Sequence, residues 1–356
     1  MLQPVFSLTS FFLQIPCGYL SDRWKRGNVL RLGVLFTAIG TVWMYFAADI
    51  YQLAFVPLCF GIGFSLTTSS YGAIVYDSLL SVNREDEFPK VIGTINAIGR
   101  YALAGSAVVS GFLYNYYIHL PVFMQMFNMI FYGYFTWKII EPQRHKVMSE
   151  HSHMRVILQT MRYVVIKHVD LKWVIVVTCL LAVASTKAYW IVQPLVNEIA
   201  PSTIYLGLAA ALTFVLMGMA SQLTHRIEHL ISEKKLLCLA ACLSVAGYAA
   251  SGATSGYVMP LMLCLVFIAF GISQVVTTTM INERVTSDIR ATTLSITSSA
   301  NGLLFSMVTP IFGWMINAVT INFAVLCMSI FIGCIGLVCL LNIKPPQVCI
   351  STQKHP

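Results

Sequence analysis

Gly18-Tyr19-Leu20-Ser21-Asp22-Arg23-Trp24-Lys25-Arg26 is a short charged turn set between two long apolar stretches, residues 2–20 and 29–48. Each stretch has about the twenty residues that a helix needs to cross a bilayer core ~30 Å thick. Working outward, the same alternation continues to the end of the chain. Apolar blocks recur at 52–76, 91–117, 118–137, 173–197, 203–223, 236–255, 257–281, 291–316 and 318–343, eleven in all. The blocks are continuous and far longer than barrel strands, so the pattern predicts an all-α, polytopic membrane protein. Composition agrees. Only 10% of the 356 residues are charged and 57% are hydrophobic, whereas a soluble domain carries about 25% charged residues.

The formal charge of +8 is a topology signal. Of the 22 Lys and Arg, all but Arg100 and Lys187 fall in alternate connections or at their edges, while the opposite connections at 48–51, 197–203 and 251–257 carry none. Basic residues stay on the cytoplasmic side during insertion. This segregation argues against nucleic-acid binding, places the C-terminus in the cytoplasm, and makes a multi-pass protein of the plasma membrane (in a bacterium, the inner membrane) the expected location. The first block then runs from outside to inside. We therefore expect a twelve-span protein whose described sequence begins at the second span.

The halves repeat. Phe60-Gly61-Ile62-Gly63, followed by Thr67-Thr68-Ser69, matches Phe270-Gly271-Ile272-Ser273, followed by Thr277-Thr278-Thr279. Gly111-Phe112-Leu113-Tyr114-Asn115 matches Gly313-Trp314-Met315-Ile316-Asn317, and Leu20-Ser21-Asp22-Arg23 matches Leu223-Thr224-His225-Arg226. Three matches in one order at nearly one offset predict two parallel, pseudo-symmetric bundles. The expected organisation is an N-terminal bundle over 1–137 (spans two to six), a cytoplasmic loop over 138–172, a C-terminal bundle over 173–343 (spans seven to twelve) and a cytoplasmic tail over 344–356.

The charged turn resembles the signature G-x-x-x-D-R-x-G-R-K loop of the major facilitator superfamily, between spans two and three. Gly18, Asp22, Arg23 and Arg26 match it; Lys25 stands where the family has glycine, and Gly27 where it has a basic residue. The resemblance implies a secondary transporter working by alternating access. It also implies a conformational latch. Gly18 would permit close helix approach, Asp22 would face the N-terminus of span eleven, and Arg26 would pair with an acid at the inner end of span four, where Asp77 lies. Drug–proton antiporters of the family often carry arginine where this chain has Pro57, and the glycine–proline signature of exporters is absent from span five. Efflux of a small organic solute coupled to protons is the expected activity. Uptake of an anionic metabolite, or a receptor that does not transport, are the alternatives.

The embedded charges are all basic. Lys187 lies deep in its block, with Trp190 and Gln193 following at helical spacing, so the three are expected on one cavity face, the lysine attracting an anion and the tryptophan stacking on a ring. A lysine reaching the outer interface is the competing reading. Arg100 is expected to bind an anion or to pair with Asp77 or Glu283. Thr67, Thr68, Ser70 and Tyr71, with Gln274, Thr277 and Thr278 in the repeat-related span, suggest a polar cavity wall, although such hydroxyls usually bond their own backbone. Asn96 and Asn301 are weaker candidates. Rows of small residues at 102, 106 and 110, and at 298, 302, 306 and 310, read as packing seams.

The ten cysteines form no C-x-x-C pair, and His145, His151 and His153 have no acidic or cysteine partners that would complete a metal site. No nucleotide loop, nucleophile elbow or zinc-protease motif occurs. The expected partners are therefore a small-molecule substrate, the lipid bilayer and a coupling proton, with no cofactor, no enzyme activity and a monomeric state.

Overall fold

A computed structural model describes residues 2–84, 87–140, 169–228, 230–284 and 287–343. Among these no strand occurs, and the chain forms twelve α-helices: α1 Gln3–Arg23, α2 Arg26–Phe46, α3 Ile50–Leu80, α4 Phe88–Tyr116, α5 Leu120–Lys138, α6 Val169–Ile199, α7 Thr203–Ile227, α8 Glu233–Gly252, α9 Val258–Met262, α10 Cys264–Arg284, α11 Ser287–Ala318 and α12 Ile321–Asn342. Every apolar block becomes helical. The one at 257–281 is interrupted at Leu263, so the short α9 precedes α10 in a single span. Several helices run past their apolar block at the basic end, as α1 does to Arg23 and α10 to Arg284, because the apolar block measures the bilayer and the helix continues into water. Eight of the spans are long and apolar enough to cross a membrane on those criteria alone.

Starts and stops follow local chemistry. Asp49 caps α3, its carboxylate accepting from the Gln52 amide at 2.8 Å, and the Thr320 hydroxyl caps α12 by accepting from the Phe323 amide. Within the spans, hydroxyls bond back one turn, as in Ser65 to the Gly61 carbonyl at 2.9 Å and Thr277 to the Ser273 carbonyl at 2.7 Å. That satisfies polar atoms that lipid could not.

The internal repeat is carried into packing. α1 crosses α3 as α7 crosses α10, α2 packs on α3 as α8 packs on α10, and α2 meets α5 as α8 meets α12. The repeated glycines fix the first of these crossings. A Cβ on Gly61 would lie 2.8 Å from the Thr9 Cβ, and one on Gly271 would lie 2.5 Å from the Met217 carbonyl oxygen. The basic ends repeat as well. Arg31 on α2 donates to the last carbonyls of α5, Thr136 and Trp137, at 3.3 and 3.2 Å, and Lys234 on α8 donates to the Ile343 carbonyl just beyond α12 at 2.7 Å.

α6 breaks the symmetry. It packs against α7, α10, α11 and α12 and centres the C-terminal core, with Leu171, Val174, Val177, Leu180, Ala184 and Ala188 each at most 1% exposed. It has no counterpart among the described residues of α1 to α5. In α4 and α5 the only described residues that are buried are Ala104, Gly111 and Thr136.

Candidate functional site

The bundles meet along two seams related by the repeat: α4 against α7, and α1 against α11. The α4–α7 seam is sewn. At its outer end Gly111 and Gly207 are in backbone contact; a Cβ on Gly207 would lie 2.5 Å from the Ala107 carbonyl oxygen, and the Thr203 hydroxyl donates to the Gly111 carbonyl at 3.0 Å. Further in, the Arg100 guanidinium donates to the Ser221 hydroxyl at 3.0 Å, and that hydroxyl donates onward to the Gly271 carbonyl on α10, also at 3.0 Å. Gln222 adds a bond to the Tyr101 hydroxyl. The small residues on this face of α4 are Ala104, Ala107 and Gly111. The expected row at 102, 106 and 110 differs, since Ala102 and Ser106 are exposed.

The α1–α11 seam is looser. Among the described residues Gly313, the repeat partner of Gly111, meets no neighbour that a Cβ would touch, and a Cβ on Gly302 would only reach ordinary contact with the Ser7 carbonyl, at 3.6 Å. Beside this seam lies a cavity of about 660 Å³, walled by α1 (Gln3, Phe6, Ser7, Ser10, Phe11, Gln14), by α3 (Leu53, Val56, Pro57, Phe60, Phe64), by α6 (Thr186, Trp190) and by α11 (Ser298, Asn301, Gly302, Phe305). Leu2 and Met44 complete it. Its volume lies in the ~300–1,000 Å³ range of small-molecule sites. Both bundles contribute walls, and the lining is aromatic with scattered hydroxyls and amides. Two polar atoms of lining residues, Ser10 Oγ and Asn301 Oδ1, are buried without a hydrogen-bond partner, an arrangement that costs free energy unless something arrives to satisfy it.

The structure brings together fewer of the expected cavity residues than their spacing suggested. Trp190 lines the cavity and is 47% exposed. Lys187 is 3% exposed and does not reach an interface. Its ammonium donates to the Thr309 hydroxyl on α11 and sits 3.7 Å over the centroid of the Phe305 ring. The expected shared face of Lys187, Trp190 and Gln193 is therefore divided. The lysine turns toward α11, directly behind a cavity residue, and Gln193, half-buried a turn further on, is not part of the lining. Thr67, Tyr71, Gln274 and Arg100 also stand outside this cavity. Thr67 bonds back to the Gly63 carbonyl at 2.9 Å. Arg100 bonds Ser221 in place of the expected Asp77 or Glu283: Asp77 is held by Arg26, and the side chain of Glu283 lies outside the described residues.

At the inner end, Arg26 forms the expected ion pair with Asp77 and also donates to the Ala73 carbonyl at 3.1 Å. The pair joins α2 to α3, within one bundle. The C-terminal bundle pins the equivalent junction with reversed sign, Glu233 on α8 to Arg284 on α10 at 3.4 Å. Arg23 is exposed, 4.7 Å over the Tyr19 ring. Among the described residues, a Cβ on Gly18 would meet nothing within 4 Å. The side chain of Asp22, and residues His145, His151 and His153, lie outside the described residues.

The sequence carried a signal for the α1 wall that composition hid. Gln3, Ser7, Ser10 and Gln14 recur at four, three and four residues, a polar stripe down one side of an apolar helix.

A family profile described as Major Facilitator Superfamily matches residues 1–310. The chain belongs to the major facilitator superfamily. No curated protein matches the sequence. Among solved structures, the nucleoside transporter NupG is similar at TM-score 0.77 and 12% identity, covering 96% of this chain and 90% of that one. The D-xylose–proton symporter follows at TM-score 0.72 and 16% identity, covering 95% and 85%, and the E. coli fucose–proton symporter FucP at 0.58 and 16%, covering 97% and 90%. At such identities the likeness shows the superfamily fold, an integral multi-pass architecture shared with transporters of differing cargo.

Proposed function

We propose that the protein is a secondary transporter that moves a small organic solute across the membrane by alternating access. One observation carries this reading: the cavity of about 660 Å³ is walled by helices of both bundles, so a rocking of one bundle against the other must change its access. The sewn α4–α7 seam and the looser α1–α11 seam supply the two edges about which such a motion turns. Coupling to a proton gradient is part of the proposal, supported by the proton symporters among its structural relatives. Outward movement is inferred from the family resemblance. Inward symport is the second reading, favoured by those same two relatives.

The Arg26–Asp77 pair holds α2 and α3 in register at the inner face, and so supports the position of the turn that carries Asp22. In that role it serves a latch without itself bridging the bundles.

The test is flux. Purified protein in proteoliposomes with an imposed pH gradient should move at least one of a panel of labelled hexoses, nucleosides and aromatic carboxylates. That flux should fall at least ~10-fold in Trp190→Ala and collapse with a protonophore. Binding of panel members with no gradient-driven flux of any would overturn the transporter reading in favour of a receptor.

A further inference from the structure

We propose that Lys187 is an anion subsite screened from the cavity by Phe305, and that the solute is a small organic monoanion bearing a planar ring. This deepens the transporter reading and rests on it for the word solute, but not for the subsite.

The argument begins with charge. An ammonium buried among membrane helices is costly and is normally paired. Among the described residues no carboxylate forms an ion pair with Lys187. Its contacts are a hydroxyl and a ring. The Thr309 hydroxyl spends its own proton on the Phe305 carbonyl at 2.6 Å, leaving a lone pair for the lysine. An ammonium has three donors, and a ring face is a weak substitute for an anion. The other embedded cation, Arg100, is held at the sewn seam by Ser221. Lys187 thus sits directly behind a cavity wall, in surroundings where a charge is poorly screened.

Position supplies the rest. Phe305, over which the ammonium sits, is itself a cavity wall, as are Thr186 and Trp190 on either side of Lys187 along α6. Rotation of one phenyl ring would put Nζ in contact with cavity contents. A single negative charge would match it, whereas a cation would meet repulsion. Phe6, Phe11, Phe60, Phe64 and Trp190 offer ring faces for stacking. Ser10 and Asn301 also belong to the lining, and a side-chain rotation would bring Ser10 Oγ and Asn301 Oδ1, both buried and without a partner, to polar substituents.

The experiment uses the full chain in detergent and reads Trp190 as the fluorescence difference between wild type and Trp190→Phe. Acrylamide quenching of Trp190 should be protected by benzoate at roughly 10-fold lower concentration than by benzamide, and benzylammonium should not protect. Equal protection by the neutral or cationic probe, or none by benzoate, overturns the proposal. In a second arm, quenching by iodide should exceed quenching by caesium in wild type and in Lys187→Arg, and the ratio should drop at least ~3-fold in Lys187→Gln, with acrylamide quenching unchanged as the control for an intact cavity. An unchanged iodide-to-caesium ratio in Lys187→Gln overturns it as well. Should Lys187→Gln fail to fold, the benzoate arm on wild type alone decides. Charge selectivity without flux would leave the subsite standing and sink the transporter reading; flux without charge selectivity would do the reverse.

Discussion

The α4–α7 and α1–α11 seams descend from one repeated plan yet hold in different ways. In the first, Gly111 and Gly207 bring backbones into contact and Arg100, Ser221 and the Gly271 carbonyl form a chain of donors reaching a third helix. In the second, Gly313 touches nothing, and Ser10 Oγ and Asn301 Oδ1 lack partners beside a cavity. The difference shows how a symmetric fold makes an asymmetric device. One seam satisfies its polar groups within the protein, and the other leaves two of them without a partner.

The largest expected effect comes from forcing the sewn seam. Gly207→Ala puts a Cβ 2.5 Å from a backbone oxygen that no side-chain rotation can clear. It should lower stability by about 1–3 kcal/mol, read as a lower unfolding midpoint in detergent. Gly313→Ala, at the equivalent place in the loose seam, should be neutral or stabilising by up to ~1 kcal/mol through helix propensity. Equal losses at the two sites would erase the contrast. Next is the inner junction of each half, where polarity alone is reversed. Arg26→Asp should cost about 1–2 kcal/mol by setting two acids together at a site only 18–20% exposed, and the swap Arg26→Asp with Asp77→Arg should recover at least half, since Glu233 and Arg284 already work in that order. A double variant no better than the single would show that the pair depends on more than its charges.

Arg100→Met should cost about 1 kcal/mol and speed hydrogen exchange in α4 near Tyr101, while Asn301→Leu, which removes an unpartnered atom, should leave the midpoint unchanged or raised by ~1 kcal/mol. Destabilisation by Asn301→Leu would mean that its amide oxygen has a structural partner. The smallest effect belongs to Gly18→Ala, with a midpoint within about 0.5 kcal/mol of wild type, because its Cβ would meet no atom of the described residues within 4 Å.

What the sequence made legible was whatever is local or periodic. Apolar runs gave the spans, and Phe60-Gly61 with Phe270-Gly271 gave the repeat that the crossings at α1–α3 and α7–α10 then displayed. Arg26 and Asp77 were readable as partners because both sit at helix ends on one side. Lys187 was readable as buried but not as facing Thr309 and Phe305, since the rotation of α11 about its own axis is set by distant packing. The bond from Arg100 to Ser221 was not readable for the same reason: Ser221 lies more than a hundred residues away along the chain, and its hydroxyl looks like any other in an apolar helix. The α1 wall was missed because Gln3, Ser7, Ser10 and Gln14 read as interruptions of an apolar run unless their phase is followed round the helix.

The glycine crossings at Gly61 and Gly271 carry a mechanical consequence. With helices pressed to hard contact at the same joint in each half, neither bundle has internal slack there. Under the proposed alternating access each half would turn about that joint as a stiff lever, so that force applied to one arm would reach the boundary between the halves.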